Sequence, residues 1–112
     1  MKFTTFKAGE KEYKLRITGA SIVEMEKKMG KNPLNAMLDA VNGVLPMMTD
    51  MFTILWGALL PFNANIKYDD ICDIYTQYVD GGGTLDDFLK ILVKVFEDSG
   101  FIKVSEDAPE KN

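Results

Sequence analysis

The sequence predicts a mainly α (α+β) fold, an N-terminal β-hairpin followed by a compact bundle of about five helices. Three observations predict it. Tyr13, Leu15 and Ile17 alternate with Lys14, Arg16 and Thr18, the period of two of a half-buried strand. From residue 21 to residue 98, helix-start and helix-stop residues recur and cut the chain into segments of helical length. The segment Pro46–Phe62, PMMTDMFTILWGALLPF, holds one charge, Asp50, and the single tryptophan, Trp56. Wound as a helix, it gathers Thr49, Asp50, Thr53 and Gly57 into one narrow stripe and is apolar on every other side. Such a helix has to be buried in its own fold, in a membrane or against a partner.

Taken in order, residues 2–7 and 12–17 read as the hairpin, with Ala8-Gly9-Glu10-Lys11 as its turn. Two strands alone are marginal in water, so the hairpin has to lie on the helices or add strands from another molecule. Ser21-Ile-Val-Glu24 has the capping-box spacing and predicts a helix over 22–29, with Glu24 and Lys28 at pairing distance and Gly30 as its stop. Asn32-Pro33 restarts the chain as a cap followed by proline at the first helical position. Leu34, Met37, Leu38 and Val41 then fall on one face, and Gly43 marks the end. Pro46 and Pro61 bracket the central helix. A fourth helix over 67–79 carries Ile71, Ile74, Tyr75 and Tyr78 on one face, with Asp69 and Asp70 where the helix dipole favours negative charge. Gly81-Gly82-Gly83 breaks it, and Thr84 starts a fifth helix over 85–98. That helix has a polar stripe of Asp86, Lys90, Lys94 and Glu97, and more apolar surface than one contact uses. Residues 1–102 are expected to form one domain, and the acidic residues 103–112 a disordered tail.

Composition narrows the function. The 112 residues are 46% hydrophobic and 27% charged, with a formal net charge of −4. That balance is ordinary for a soluble globular protein and poor for nucleic acid, whose phosphates ask for clustered Lys and Arg. The sequence has no histidine and one cysteine, Cys72, which removes His-based catalytic arrangements, disulfide pairing within the chain and cysteine zinc clusters. A reducing, cytoplasmic setting fits. The first residues lack the apolar core of a signal peptide. A membrane span needs about 20 consecutive apolar residues, and Asn42, Gly43, Pro46, Thr49 and Asp50 interrupt Val41–Phe62 too early. No cofactor is expected.

Local motifs give no chemistry either. The triple glycine lacks the spacing and lysine of a phosphate loop. An EF-hand register with Gly83 sixth puts Tyr78 first and Leu89 twelfth, where carboxylates are required. Asp69, Asp70 and Asp73 read as helix-start and surface charge. Cys72, among Ile71 and Ile74, is expected to pack inward, with no base or cation beside it to activate the thiol. A helix-turn-helix reading of the last two helices fails because the fifth offers Leu, Ile, Val and Phe where base edges ask for polar groups. An enzyme is not expected.

The methionines are more telling. Apart from Met1 all lie between Met25 and Met51. Methionine fills core gaps and also suits adaptable binding surfaces. Met47, Met48 and Met51, with Phe52, Leu55, Trp56 and Leu59, are therefore the candidate partner-binding residues, with the fifth helix as a second wall. The Met47–Met51 end is the expected exposed part and Trp56 the expected buried anchor.

Tyr13-Lys-Leu-Arg-Ile-Thr18, Ile22-Val-Glu-Met-Glu-Lys-Lys-Met-Gly30 and Lys31-Asn-Pro-Leu34 resemble the N-terminal part of small tail assembly chaperones of tailed phages and prophages of Gram-positive bacteria. The order of elements over roughly residues 12–98 is similar too. The resemblance implies a non-enzymatic, oligomeric protein of the bacterial host cytoplasm. It would bind the helical tape measure protein and keep it soluble while tail-tube subunits polymerise around it. It also implies a longer form made by translational frameshift, through which the tail-tube protein would be met. Another oligomeric virion-assembly component, such as a head–tail connector, is the alternative reading.

Overall fold

A computed structural model, which describes residues 2–103, has the order β1 (Thr4–Ala8), β2 (Lys11–Leu15), α1 (Gly19–Met29), α2 (Pro33–Val41), α3 (Met48–Leu59), α4 (Tyr68–Asp80) and α5 (Leu85–Asp98). The α+β class and the hairpin-then-five-helix order are those the sequence predicts. The acidic tail lies, beyond Lys103, outside the described residues.

The hairpin is antiparallel, pairing Thr4 with Leu15, Phe6 with Tyr13 and Ala8 with Lys11. Its turn is two residues, Gly9-Glu10, tighter than the four expected. Gly9 takes φ of 66°, a conformation that carries little penalty only for glycine. Thr4, Phe6, Ala8 and Leu15 are buried, so the sheet lies on the helices. Two bonds past the strand tie it down: the Arg16 backbone N–H donates to Ala58 O at 3.0 Å, and the Ile17 N–H donates to Ser99 Oγ at 2.9 Å.

α1 begins a turn earlier than its sequence suggests. Thr18, not Ser21, is the cap. Thr18 Oγ1 accepts the Ser21 N–H at 3.1 Å, and Ser21 Oγ accepts the Thr18 N–H at 2.8 Å. A reciprocal box thus forms three residues upstream of the expected one, with a serine in place of the usual Glu. Glu24 is left on the surface and pairs with Lys27 at 3.7 Å rather than with Lys28. Lys28 instead lies over the rings of Trp56 and Tyr68, 5.4 and 4.8 Å from their centroids, a cation–π placement. The other starts follow their sequence signals. Asn32 Oδ1 accepts the Leu34 N–H at 3.0 Å, Asp70 Oδ2 accepts the Lys67 N–H at 2.9 Å, and Thr84 Oγ1 accepts the Asp87 N–H at 3.1 Å.

α3 is the hub. It packs against α1, α2, α4, α5 and β2, and Met51, Ile54, Leu55, Ala58 and Leu59 are fully buried. An aromatic cluster joins the layers. Phe88 of α5 sits 4.9 Å from Tyr75, 5.9 Å from Tyr78, 6.1 Å from Phe6 and 6.4 Å from Phe52, centroid to centroid. One ring thus links β1, α3, α4 and α5. No helix among the described residues is long and apolar enough to cross a membrane.

Candidate functional site

Beyond exposed Thr49, the polar stripe of α3 does not face water. Asp50, Thr53 and Gly57 are buried, and α1 covers them. A methyl group at Gly57 would collide with the Met25 side chain, so the glycine is the notch that lets α1 approach. Thr53 Oγ1 satisfies itself by donating to Thr49 O at 2.8 Å. Asp50 is 2.7 Å from Lys31 Nζ, which reaches over from the α1–α2 connection. The stripe is therefore the seat of a helix–helix contact, with its one charge neutralised at the rim.

The seven residues singled out by sequence separate in space. Met51, Leu55 and Leu59 lie wholly within the core, so their side chains already have partners in this chain. Phe52 is half-buried, 5.1 Å from the Tyr75 ring. Trp56 is also half-buried, and its Nε1–H donates to Ile66 O at 3.3 Å. Met47 and Met48, by contrast, are 64% and 37% exposed.

The two bare methionines have neighbours that sequence reasoning missed. Leu38, Val41, Val44 and Leu45 are also exposed, Leu45 to 58%. Leu38 and Val41 were expected to face inward with Leu34 and Met37, but of the four only Met37 is fully buried. α2 is short and presses only part of that face on its neighbours. Val44-Leu45, an apolar pair between Gly43 and Pro46 in a connection, was the available signal, because connections normally carry polar residues. The result is an apolar ridge over residues 38–48.

Beside the ridge runs a groove of about 420 Å³ between α2 and α5. Ala40, Val41, Leu89 and Val93 supply its apolar lining, and Asp86, Lys90, Lys94 and Glu97 its polar rim. Val41 belongs to both ridge and groove. The rim is largely self-compensated: Asp86 pairs with Lys90 at 3.2 Å and Asp98 with Lys94 at 3.5 Å. The polar stripe expected on α5 is thus the border of an apolar channel.

The remaining candidates are placed otherwise. Cys72 is exposed, not packed inward as the sequence suggested, because the inward face of α4 is filled by Ile71, Ile74 and Tyr78. Among the described residues no group of three His, Cys, Asp or Glu is placed to hold a metal ion, and Asp70 is engaged as a cap. Gly83 fits against the ring of Tyr78, where any side chain would collide, so the glycine run is a packing joint. The Tyr78 hydroxyl donates to Thr84 O at 3.4 Å. Burial first, then the charge of Asp87 and the neighbouring Tyr75, hold that phenol above its ordinary pKa. This makes it a weaker acid, the opposite of an activated tyrosinate.

Residues 2–112 match the family described as "Family of unknown function (DUF6096)". The chain belongs to this family. Neither the curated proteins nor the solved structures contain a match to it.

Proposed function

We propose that this DUF6096 protein is a non-enzymatic assembly chaperone that holds a long amphipathic helical protein in solution. More specifically, we propose a tail assembly chaperone of a tailed phage or prophage, acting in the host cytoplasm on the tape measure protein. The observation that carries the reading is the bare apolar ridge of residues 38–48 beside the α2–α5 groove. Exposed apolar patches of this kind mark interaction surfaces, and an apolar channel with a polar rim suits a helix laid into a groove. Met47 and Met48 tolerate varied client side chains. Many copies along one client would bind by avidity without any single tight site. The resemblance carried by Tyr13–Thr18, Ile22–Gly30 and Lys31–Leu34 supplies the particular client. A frameshifted longer form that meets the tail-tube protein belongs to the same proposal.

The test is co-expression with the product of whichever long reading frame comes next downstream of the gene. That product is expected to move from the insoluble to the soluble fraction and to co-purify with this chain. If it stays insoluble with ample chaperone present, the reading fails.

A further inference from the structure

We propose that Met47 and Met48 form a modification site, at which hydrogen peroxide oxidises the two thioethers reversibly to sulfoxides and so takes the apolar ridge out of use. The loss of client rests on the reading of the ridge as a client surface; the oxidation site does not.

The methionines divide sharply by exposure. Met25, Met37 and Met51 are fully buried and Met29 is half-buried, whereas Met47 is 64% and Met48 37% exposed. Among the described residues the open thioethers are thus neighbours in sequence, both on the ridge. In the reaction a sulfur lone pair attacks one peroxide oxygen. The O–O bond breaks as the S–O bond forms, the sulfur is oxidised by two electrons, and the second oxygen leaves as water with both hydrogens. Peroxide has to reach the sulfur, so exposure sets the order of attack.

The site is placed so that oxidation spares the fold. Met47 is the N-cap residue of α3, and its carbonyl oxygen accepts the Asp50 and Met51 N–H groups, both at 3.0 Å. Its backbone closes the first turn while its side chain is left to solvent. Met25, by contrast, fills the notch at Gly57, where even a methyl group has no room. Its burial keeps the hub intact while the ridge is switched. A sulfoxide makes a flexible apolar side chain polar. Covering that oxygen with an apolar client and no new hydrogen bond costs about tenfold in affinity per group. Where many weak contacts act together, a loss at every copy multiplies. A dithiol reductase reverses the step: the oxygen leaves as water, the dithiol becomes a disulfide and the thioether returns.

The other exposed sulfur is Cys72, so the test uses the full chain with Cys72→Ser. Treated folded with hydrogen peroxide and mapped by peptide mass spectrometry, it should gain oxygen first at Met47, next at Met48, and at Met25, Met37 and Met51 only after denaturation. Helical content and thermal midpoint should not change. Retention on a phenyl resin, which needs no client, should fall with oxidation at Met47 and Met48 and return after treatment with reductases for both sulfoxide epimers. Capture of the co-expressed long helical protein should fall at least tenfold and return likewise. In Met47→Leu/Met48→Leu, capture and retention, whatever their starting level, should be the same before and after peroxide. Oxidation of Met25, Met37 or Met51 in the folded chain ahead of Met47, or unchanged retention after Met47 and Met48 are oxidised, overturns the proposal. Oxidised protein that captures the long helical protein as well as untreated protein also overturns it. Untreated protein that captures nothing, with oxidation order and retention as expected, overturns the client reading alone.

Discussion

The two ends of one apolar stretch meet opposite fates. From Met51 to Leu59 every residue of α3 is buried except half-buried Phe52 and Trp56: α1 sits on its polar stripe, and α2, α4, α5 and β2 pack on other sides. Immediately before it, Val44, Leu45, Met47 and Met48 are as apolar and nearly all bare. Hydrophobicity is the same in both, so it does not decide which is core. What decides is whether a neighbouring element can reach. α3 has a notch at Gly57, a neutralised charge at Asp50 and an aromatic wall at Phe52. The 42–47 connection hydrogen-bonds back to the end of the short α2 and leaves Val44, Leu45 and Met47 exposed.

Mutations should separate the two regions, beginning with the core. Leu55→Ala leaves a cavity in fully packed surroundings and should cost about 2–5 kcal/mol in chemical denaturation. A cost near zero would mean that α3 is not the hub. Gly57→Val forces α1 off its seat and should cost about 1–3 kcal/mol by overpacking. Asp50→Asn keeps the shape but removes the ion pair with a half-exposed Lys31. Solvent screens that pair, so a loss of about 1 kcal/mol or less is expected, read as a small fall in the denaturation midpoint. Leu45→Glu, in the bare region, should change stability by less than about 0.5 kcal/mol while abolishing capture of the long helical protein.

The same contrast explains how far the sequence could be read. Element order and class follow from periodicity and capping residues, which act locally. The start of α1 was missed because Thr18 and Ser21 cap each other in a form less familiar than Ser with Glu. Cys72 was misplaced because its apolar neighbour in sequence, Ile71, points to the other side of α4. For the candidate site, Met47 and Met48 were legible as a cluster in a low-charge stretch. Met51, Leu55 and Leu59 entered the same list because an all-apolar helix does not reveal which side its neighbours occupy. Leu38, Val41 and the Leu89–Val93 channel depend on how α2 meets α5, a long-range contact that no local pattern encodes.

The methionines themselves offer the most direct measurement. With methyl-labelled methionine, spectra of the protein alone and bound to the co-expressed long helical protein report each side chain separately. The account predicts that the Met47 and Met48 methyl signals shift or broaden on binding, while those of the buried Met25, Met37 and Met51 stay in place. Unmoved Met47 and Met48 signals in a complex that has formed would contradict it.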